Sequence, residues 1–433
     1  MRHGFYFPFF LLWDGRLLEG SNVERQLMKD LLSNYTKVLP VETPNTAIVV
    51  SFRLILFRII ELDDRNQALV TNVEVVQRWN DIRLKWNASD YGGIQQTMIP
   101  YDSIWTPDII LYNSAAMDYT NRLLMTNAIV NATGEVTLLT AAIFRSICDV
   151  DVSYFPFDIQ NCTMRFMSWT QDKTRVQMKL DHNTMIELKT YIENEEFSLE
   201  SYDAELREEE DPCCPNRFST VDYVIRMKRR AAFFVINYVL PMIDINVIAL
   251  LTFLVPCESG EKVTLGISTM LTIIFFLMSI RDVLPPSENL PLIGKFYFAS
   301  ICLVLLEVAL AILTLFLHHL KDIRVPPWVQ KMCRLLAKLS CMKEPRFRTV
   351  RFSPPSPDPV DEMEFNLRWI SSLVEYQNRE REMEFWTHRY NRLVELENWR
   401  TVADILDRIF LYLFLALNFF VTIGILFSSP TIR

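Results

Sequence analysis

Seven residues spaced by three and four, Glu261, Thr264, Ser268, Leu271, Phe275, Met278 and Asp282, fall on one side of a helix. In order they give an acid, two hydroxyls, three apolar side chains and an acid. Carboxylates attract cations, hydroxyls replace part of an ion's hydration, and an apolar waist blocks ions by shedding water. An ordinary packed span explains the apolar residues but not acids at both ends. Arg281, beside Asp282, weakens the outer acid. A second grouping is "DPCCPNRF", residues 211–218, which sets Cys213 next to Cys214. Adjacent cysteines rarely pair, because the ring they close is small and the peptide between them is strained. The acidic run Glu208, Glu209, Glu210, Asp211 leads directly into them.

The elements that must position these residues divide the chain in two. Four long apolar stretches lie at 231–255, 262–282, 290–317 and 407–428. Each is long enough to cross about 30 Å of hydrocarbon as a helix. One such stretch has the look of a buried helix in a large soluble protein, but four together mark a membrane protein. The segment 321–351 carries nine Lys and Arg against Asp322 and Glu344. Positive flanks stay cytoplasmic. Sequons occur at Asn34, Asn87, Asn131 and Asn161, all before the first span, which agrees with an outer N-terminal region. The tail 429–433 then returns outside. Lys228, Arg229 and Arg230 sit on the wrong side for the charge rule, which points to a local role for at least one of them.

Residues 22–34 have helical spacing, with Leu27, Leu31 and Leu32 together. Residues 1–21 read either as a signal peptide or as an apical segment of the mature chain; both stand open. From about 46 to 230 the pattern changes to short alternating runs such as "EVTLLTAAIF" and "DYVIRM", broken at Asp63-Asp64, Gly92-Gly93 and Thr133-Gly134. That predicts an antiparallel β-sandwich over 22–230. Between the third and fourth spans, 318–406 reads as an intracellular segment with amphipathic helices. It holds a basic stretch suited to a lipid surface, a proline-rich break at 353–359 and a long polar helix.

Composition excludes other classes. A formal net charge of −8 disfavours a nucleic-acid partner. The eight cysteines show no zinc spacing, and Cys257, Cys302, Cys333 and Cys341 fall in or below the membrane, where thiols stay reduced. There is no catalytic triad, phosphate loop or paired-carboxylate motif, so no enzyme, cofactor or metal is expected.

"CDVDVSYFPFDIQNC", 148–162, brackets Phe155-Pro156-Phe157-Asp158 with cysteines. With four spans and the tandem cysteines, the chain resembles the Cys-loop receptors, pentameric ligand-gated ion channels, over roughly 22–428. "WTPDIILYN", "SGEKVTLGIS" and "LPLIGKFYF" make it most similar to the nicotinic acetylcholine receptors. The resemblance implies disulfides Cys148–Cys162 and Cys213–Cys214, the latter at the tip of a loop closing over the agonist. It implies a homo- or hetero-pentamer in the plasma membrane, with the N-terminus outside and a postsynaptic position as one option. Sodium and potassium would permeate, with calcium left open, and membrane lipid would surround the spans.

Residue by residue, the resemblance assigns Tyr112, Trp169, Asp211, Cys213, Cys214 and Phe218 to the principal face of a site between subunits. Glu74, Asn127, Thr137 and Leu139 go to the complementary face. Asp211 and Glu74 stand where the family usually carries tyrosine and tryptophan, so two walls of an aromatic box become carboxylates, and the acidic run is expected to add to their field. Such walls favour a cationic agonist able to donate hydrogen bonds, which a quaternary ammonium cannot do. Five copies of the stripe from Glu261 to Asp282 would form rings, with Leu271 as gate. Anion-selective relatives carry a small-residue insertion that "SGEKVT" lacks. Coupling falls to Asp64, Phe155, Pro156, Phe157, Arg229 and Pro285, with Asp64 the expected partner of Arg229. The sequence therefore reads as a subunit of a cation channel opened by an extracellular, cationic small molecule. The alternative is a non-sensing structural subunit that needs a partner.

Overall fold

The computed structural model describes residues 16–41, 43, 46–116, 123–212, 214–281, 284, 289–320, 323–339, 345–348 and 368–428. Three expected site residues, Cys213, Asp282 and Pro285, lie outside them, as do residues 1–15 and the break at 353–359. The chain divides into two units. The first comprises 1–152, 157–231 and 284–287; the second comprises 153–156, 232–283 and 288–433.

The first unit opens with α1 (Arg16–Leu32), which crosses the expected boundary at 21/22, and its one-turn α2 (Thr184–Glu187) comes later in the chain. Two sheets follow. The larger runs β3 (Gln96–Ile99), β6 (Ala128–Asn131), β7 (Glu135–Ile147), β2 (Ala68–Asn80), β1 (Ile48–Asp63), β9 (Val176–Leu180), with β5 (Leu123–Met125) also paired to β7. The smaller runs β10 (Phe197–Glu209), β11 (Phe218–Arg229), β8 (Ile159–Ser168), β4 (Ile109–Leu111). Among the described strands pairing is antiparallel, except that β9 runs parallel to β1, Ile48 facing Val176. The chain leaves β8 in one sheet and crosses to the edge of the other, which fixes that direction.

Alternation drives the layering. In β7 every second residue from Val136 to Ser146 is buried. The inward rings of Phe52, Phe144, Phe166 and Tyr223 pack together, Phe52 and Phe166 at 4.9 Å. Two buried tyrosines knit the sheets through one residue. Leu54 N donates to Tyr223 Oη at 3.0 Å, and Tyr202 Oη donates to Leu54 O at 2.8 Å. The disulfide Cys148–Cys162 is formed, with Cα atoms 5.0 Å apart.

Among the described residues of the second unit four helices are long and apolar enough to cross a membrane: α3 (Ala232–Phe253), α4 (Lys262–Arg281), α5 (Leu292–His318) and, within α7 (Arg368–Leu426), His388–Ile425. The first three differ from the sequence-read bounds by only one or two residues. α3 carries a π-helical turn at Val235–Val239, just before Pro241. Proline removes one backbone donor and crowds the preceding turn, and widening that turn accommodates it. Helix α6 (Pro327–Leu339) buries Val329 and Cys333 against Trp399, Val402 and Ile405 of α7, and leaves Trp328 and Leu335 exposed.

Candidate functional site

The smaller sheet places the expected principal-face residues at one end. Tyr112 follows β4, and its N–H donates to Arg165 O at 2.8 Å. Trp169 follows β8, and its N–H donates to Asp108 O at 3.1 Å. The register of β8 against β11 sets Met167 opposite Thr220. Continued by two residues, it puts Phe218 across from Trp169. Tyr112 is 45% exposed and Trp169 63%, while Phe218 is only 3% exposed. The third ring of the expected box is therefore withdrawn into the sheet. Cys214 is disulfide-bonded, and its N–H donates to Asp211 O at 3.1 Å.

Side chains that sequence reading passed over hold this corner. Asp108, inside "WTPD", accepts from Thr170 N at 2.8 Å, from Thr170 Oγ1 at 2.6 Å and from Ser168 Oγ. It fixes the loop bearing Trp169. Arg165 donates to Asp222 from Nε at 2.9 Å and Nη2 at 3.0 Å, and from Nη1 to Glu209 at 2.7 Å. The bidentate bond to Asp222 holds this guanidinium still more firmly protonated than usual. Asp108 was signalled by its motif. Arg165 and Asp222 sit on separate strands and carry no local signal.

The expectation that the acidic run adds negative field at the site is corrected. Glu208 is paired with Lys173, Glu209 with Arg165 and Glu210 with Arg217. Long flexible side chains of opposite sign lie within reach across the turn, and Coulomb attraction closes the pairs.

The expected complementary set gathers on the larger sheet. Glu74 on β2 faces Ala141 on β7, Val76 faces Leu139, and Arg78 faces Thr137. A period of two therefore sets Glu74, Leu139 and Thr137 on one outward, partly exposed stripe. Asn127 is exposed in the turn beside it, where Thr126 Oγ1 donates to Leu139 O at 2.9 Å.

Glu261, just before α4, and Thr264, Ser268, Leu271, Phe275 and Met278 on it are exposed on one stripe, the three apolar ones 64–71% exposed within the single chain. The opposite stripe, Lys262, Gly266, Thr269, Ile273 and Ile280, is buried. Gly266 has a steric cause. A Cβ there would lie 2.6 Å from Val308 Cγ2 of α5, so only glycine permits this approach. Ser268 Oγ donates to Thr264 O at 2.8 Å. Lys262, neighbour of Glu261, is 1% exposed and pairs with Asp407 of α7.

Arg229 is 1% exposed and sits among three carboxylates. Its Nη2 donates to Asp64 at 2.7 Å, its Nε to Asp158 at 3.0 Å and its Nη1 to Glu196, with Phe197 4.5 Å beneath its plane. Asp64 was expected here; Asp158 and Glu196 were not. Burial pushes the Asp64 carboxyl up to about 6, against the pull of Arg229, and the charges of Asp158 and Glu196 add to the rise. Phe155 and Pro156 are buried, and Phe157 is half-buried. The Phe155 ring stacks edge-on to Phe234 at 4.8 Å, and Phe155 O accepts from Ile293 N at 3.3 Å. The Phe155–Pro156 bond is cis.

Two family models match. Residues 24–231 fit the neurotransmitter-gated ion-channel ligand binding domain, and 238–389 the neurotransmitter-gated ion-channel transmembrane region. Among similar proteins, neuronal acetylcholine receptor subunit alpha-5 of Pan troglodytes is 31% identical over 417 residues, covering 93% of this chain and 86% of that one. Acetylcholine receptor subunit alpha-L1 of Schistocerca gregaria is 35% identical over 334 residues, 74% of this chain and 60% of its own. Neuronal acetylcholine receptor subunit alpha-9-II of Oncorhynchus mykiss is 36% identical over 295 residues, 68% and 53% respectively.

Proposed function

The chain belongs to the neurotransmitter-gated ion-channel family, and within it we propose a subunit of a pentameric, cation-selective channel opened by a cationic amine at the junction of two subunits. The family is one of membrane-spanning receptors, not enzymes. The reading that this chain's N-terminal unit faces outside rests on the sequons and on the basic flank 321–351.

One observation carries cation selectivity. Glu261, one residue before α4, is exposed at the end of the stripe, while Lys262, the first residue of α4, is turned inward onto Asp407. The inner mouth thus keeps its carboxylate and loses the adjacent cation. Rings of acid concentrate cations there, and Leu271 with Phe275 supplies a constriction that closes by dewetting.

Ligand class follows from the two faces. Tyr112 and Trp169 offer exposed rings to a cation, worth roughly 0.5–2 kcal/mol each. Asp211 and Glu74 offer carboxylates, which suit an amine that still carries N–H donors. A second reading, a structural subunit needing a partner, draws support from the burial of Phe218, which leaves the aromatic box one wall short.

The test needs no ligand. Leu271→Thr, expressed alone in oocytes under voltage clamp, is expected to leak spontaneously, with a reversal potential that follows sodium and not chloride. Surface protein without leak would favour the partner-dependent reading.

A further inference from the structure

A groove of about 500 Å³ lies in the first unit between α1 and the short 3-10 turns at Ile82–Leu84 and Ala88–Tyr91. Two sequon asparagines, Asn34 and Asn87, line it together. Its walls are amphipathic. Trp86 is pinned by its indole N–H, which donates to Ile94 O at 2.8 Å, and Tyr91 by its hydroxyl, which donates to Asp30 at 3.1 Å. Both rings are half-buried and line the groove.

The charges there balance, Asp30 and Asp90 against Arg83 and Lys85, and two of the four, Asp30 and Arg83, are already engaged. Arg83 donates to Thr36 O at 2.8 Å and to Val38 O at 2.7 Å, and it pairs with the buried carboxylate of Asp81. Asp30 accepts from Gln26 at 2.8 Å as well as from Tyr91. An ion of either sign gains little in such a place. A neutral, hydroxyl-rich ligand with apolar C–H faces gains stacking on the rings and hydrogen bonds to the rim.

The two sequons differ in their footing. In Asn34-Tyr35-Thr36 the middle residue is clamped. Tyr35 Oη donates to Asp81 at 2.6 Å, and its ring lies 4.7 Å from the Arg83 guanidinium carbon. Asn34 is thereby held exposed at the rim. The Asn87 side chain instead caps the turn that follows, accepting from Ser89 N at 3.3 Å. We propose that this groove seats the first sugars of an N-linked glycan carried on Asn34, with Trp86 and Tyr91 as the stacking surface. The proposal rests on the reading that this unit faces the lumen during synthesis.

The test uses the full chain, made in cells that leave glycans high-mannose and solubilised in detergent. An endoglycosidase that cuts between the two core N-acetylglucosamines is applied over time, and each site is followed by glycopeptide mass spectrometry. The expected result is a glycan on Asn34 trimmed about tenfold or more slowly than that on the exposed Asn161. Denaturation, or Tyr91→Ser in a chain that still reaches the surface, should abolish the difference. Occupied Asn161 with bare Asn34, equal trimming at the two sites, or protection that survives Tyr91→Ser overturns the seated glycan. If no sequon is modified, the outward orientation falls with it. The comparison on the unsubstituted chain decides even where Tyr91→Ser fails to fold.

Discussion

Lys262 and Asp407, 145 residues apart, form a buried ion pair between α4 and α7. A helix turns about 100° per residue, so Glu261 and Lys262 point in different directions, and only the acid stays on the exposed stripe. Removing one partner of such a pair strands a charge at a cost of about 3–5 kcal/mol, whereas an apolar pair of similar volume is often tolerated. Asp407→Leu alone should therefore abolish most surface expression, and Lys262→Met with Asp407→Leu should restore much of it. Surface biotinylation reads both. Normal expression of the single variant would mean that the pair holds nothing.

Gly266 and Val308 set how closely α4 approaches α5. Alanine at 266 would gain roughly 1 kcal/mol in helix propensity but would need space that Val308 Cγ2 occupies. Overpacking costs about 1–3 kcal/mol, so the clash wins. Gly266→Ala is expected to lower the melting temperature of the solubilised protein, and adding Val308→Ala should return it. A melting temperature unchanged by Gly266→Ala would refute the contact.

Asp64 gives the Arg229 cluster a pH dependence. Its folded value, about 6, lies above that of an unfolded aspartate near 3.9, so the folded state holds the proton more tightly. The stability this group contributes is fully present below about pH 4 and is lost as pH rises through 6. Asp64→Asn keeps the shape without the titration. The variant's melting temperature should rise less than that of the unsubstituted protein as pH falls from 7 towards 5. Parallel curves would show that Asp64 does not titrate in this window.

What could be read in the sequence was local and periodic. The stripe from Glu261 to Met278 needed only a helix, whereas the set Glu74, Thr137, Leu139 was assigned by the resemblance alone. Tyr112 and Trp169 were marked by the motifs around them. Contacts between distant elements had no such signal. Lys262 carried no mark in the sequence, and its partner Asp407 lies in the last span. Arg165 finds Asp222 only because β8 and β11 pair in one register. The acidic run promised a field, yet Arg165 from β8 and Lys173 and Arg217 from the neighbouring loops neutralise it. Phe218 matched a box position but begins a buried strand.

Asp211 and Glu74 remain the departures that bear most directly on the ligand. Asp211 borders the disulfide-bonded turn, and Glu74 lies on the outward stripe of the other sheet, so each occupies one face of the proposed junction. A carboxylate attracts acetylcholine by charge alone, since the quaternary ammonium offers no N–H. A ring face adds roughly 0.5–2 kcal/mol, or about twofold to thirtyfold in affinity. Asp211→Tyr with Glu74→Trp, on the Leu271→Thr background, should move the acetylcholine dose–response curve leftwards by at least the lower of these factors. The same pair should weaken the response to primary amines, which lose two acceptors. Dose–response curves in oocytes for acetylcholine and for a primary amine of similar size measure both shifts. Unmoved curves would mean that these two positions do not set the ligand, and that the exposed rings of Tyr112 and Trp169 carry recognition without them.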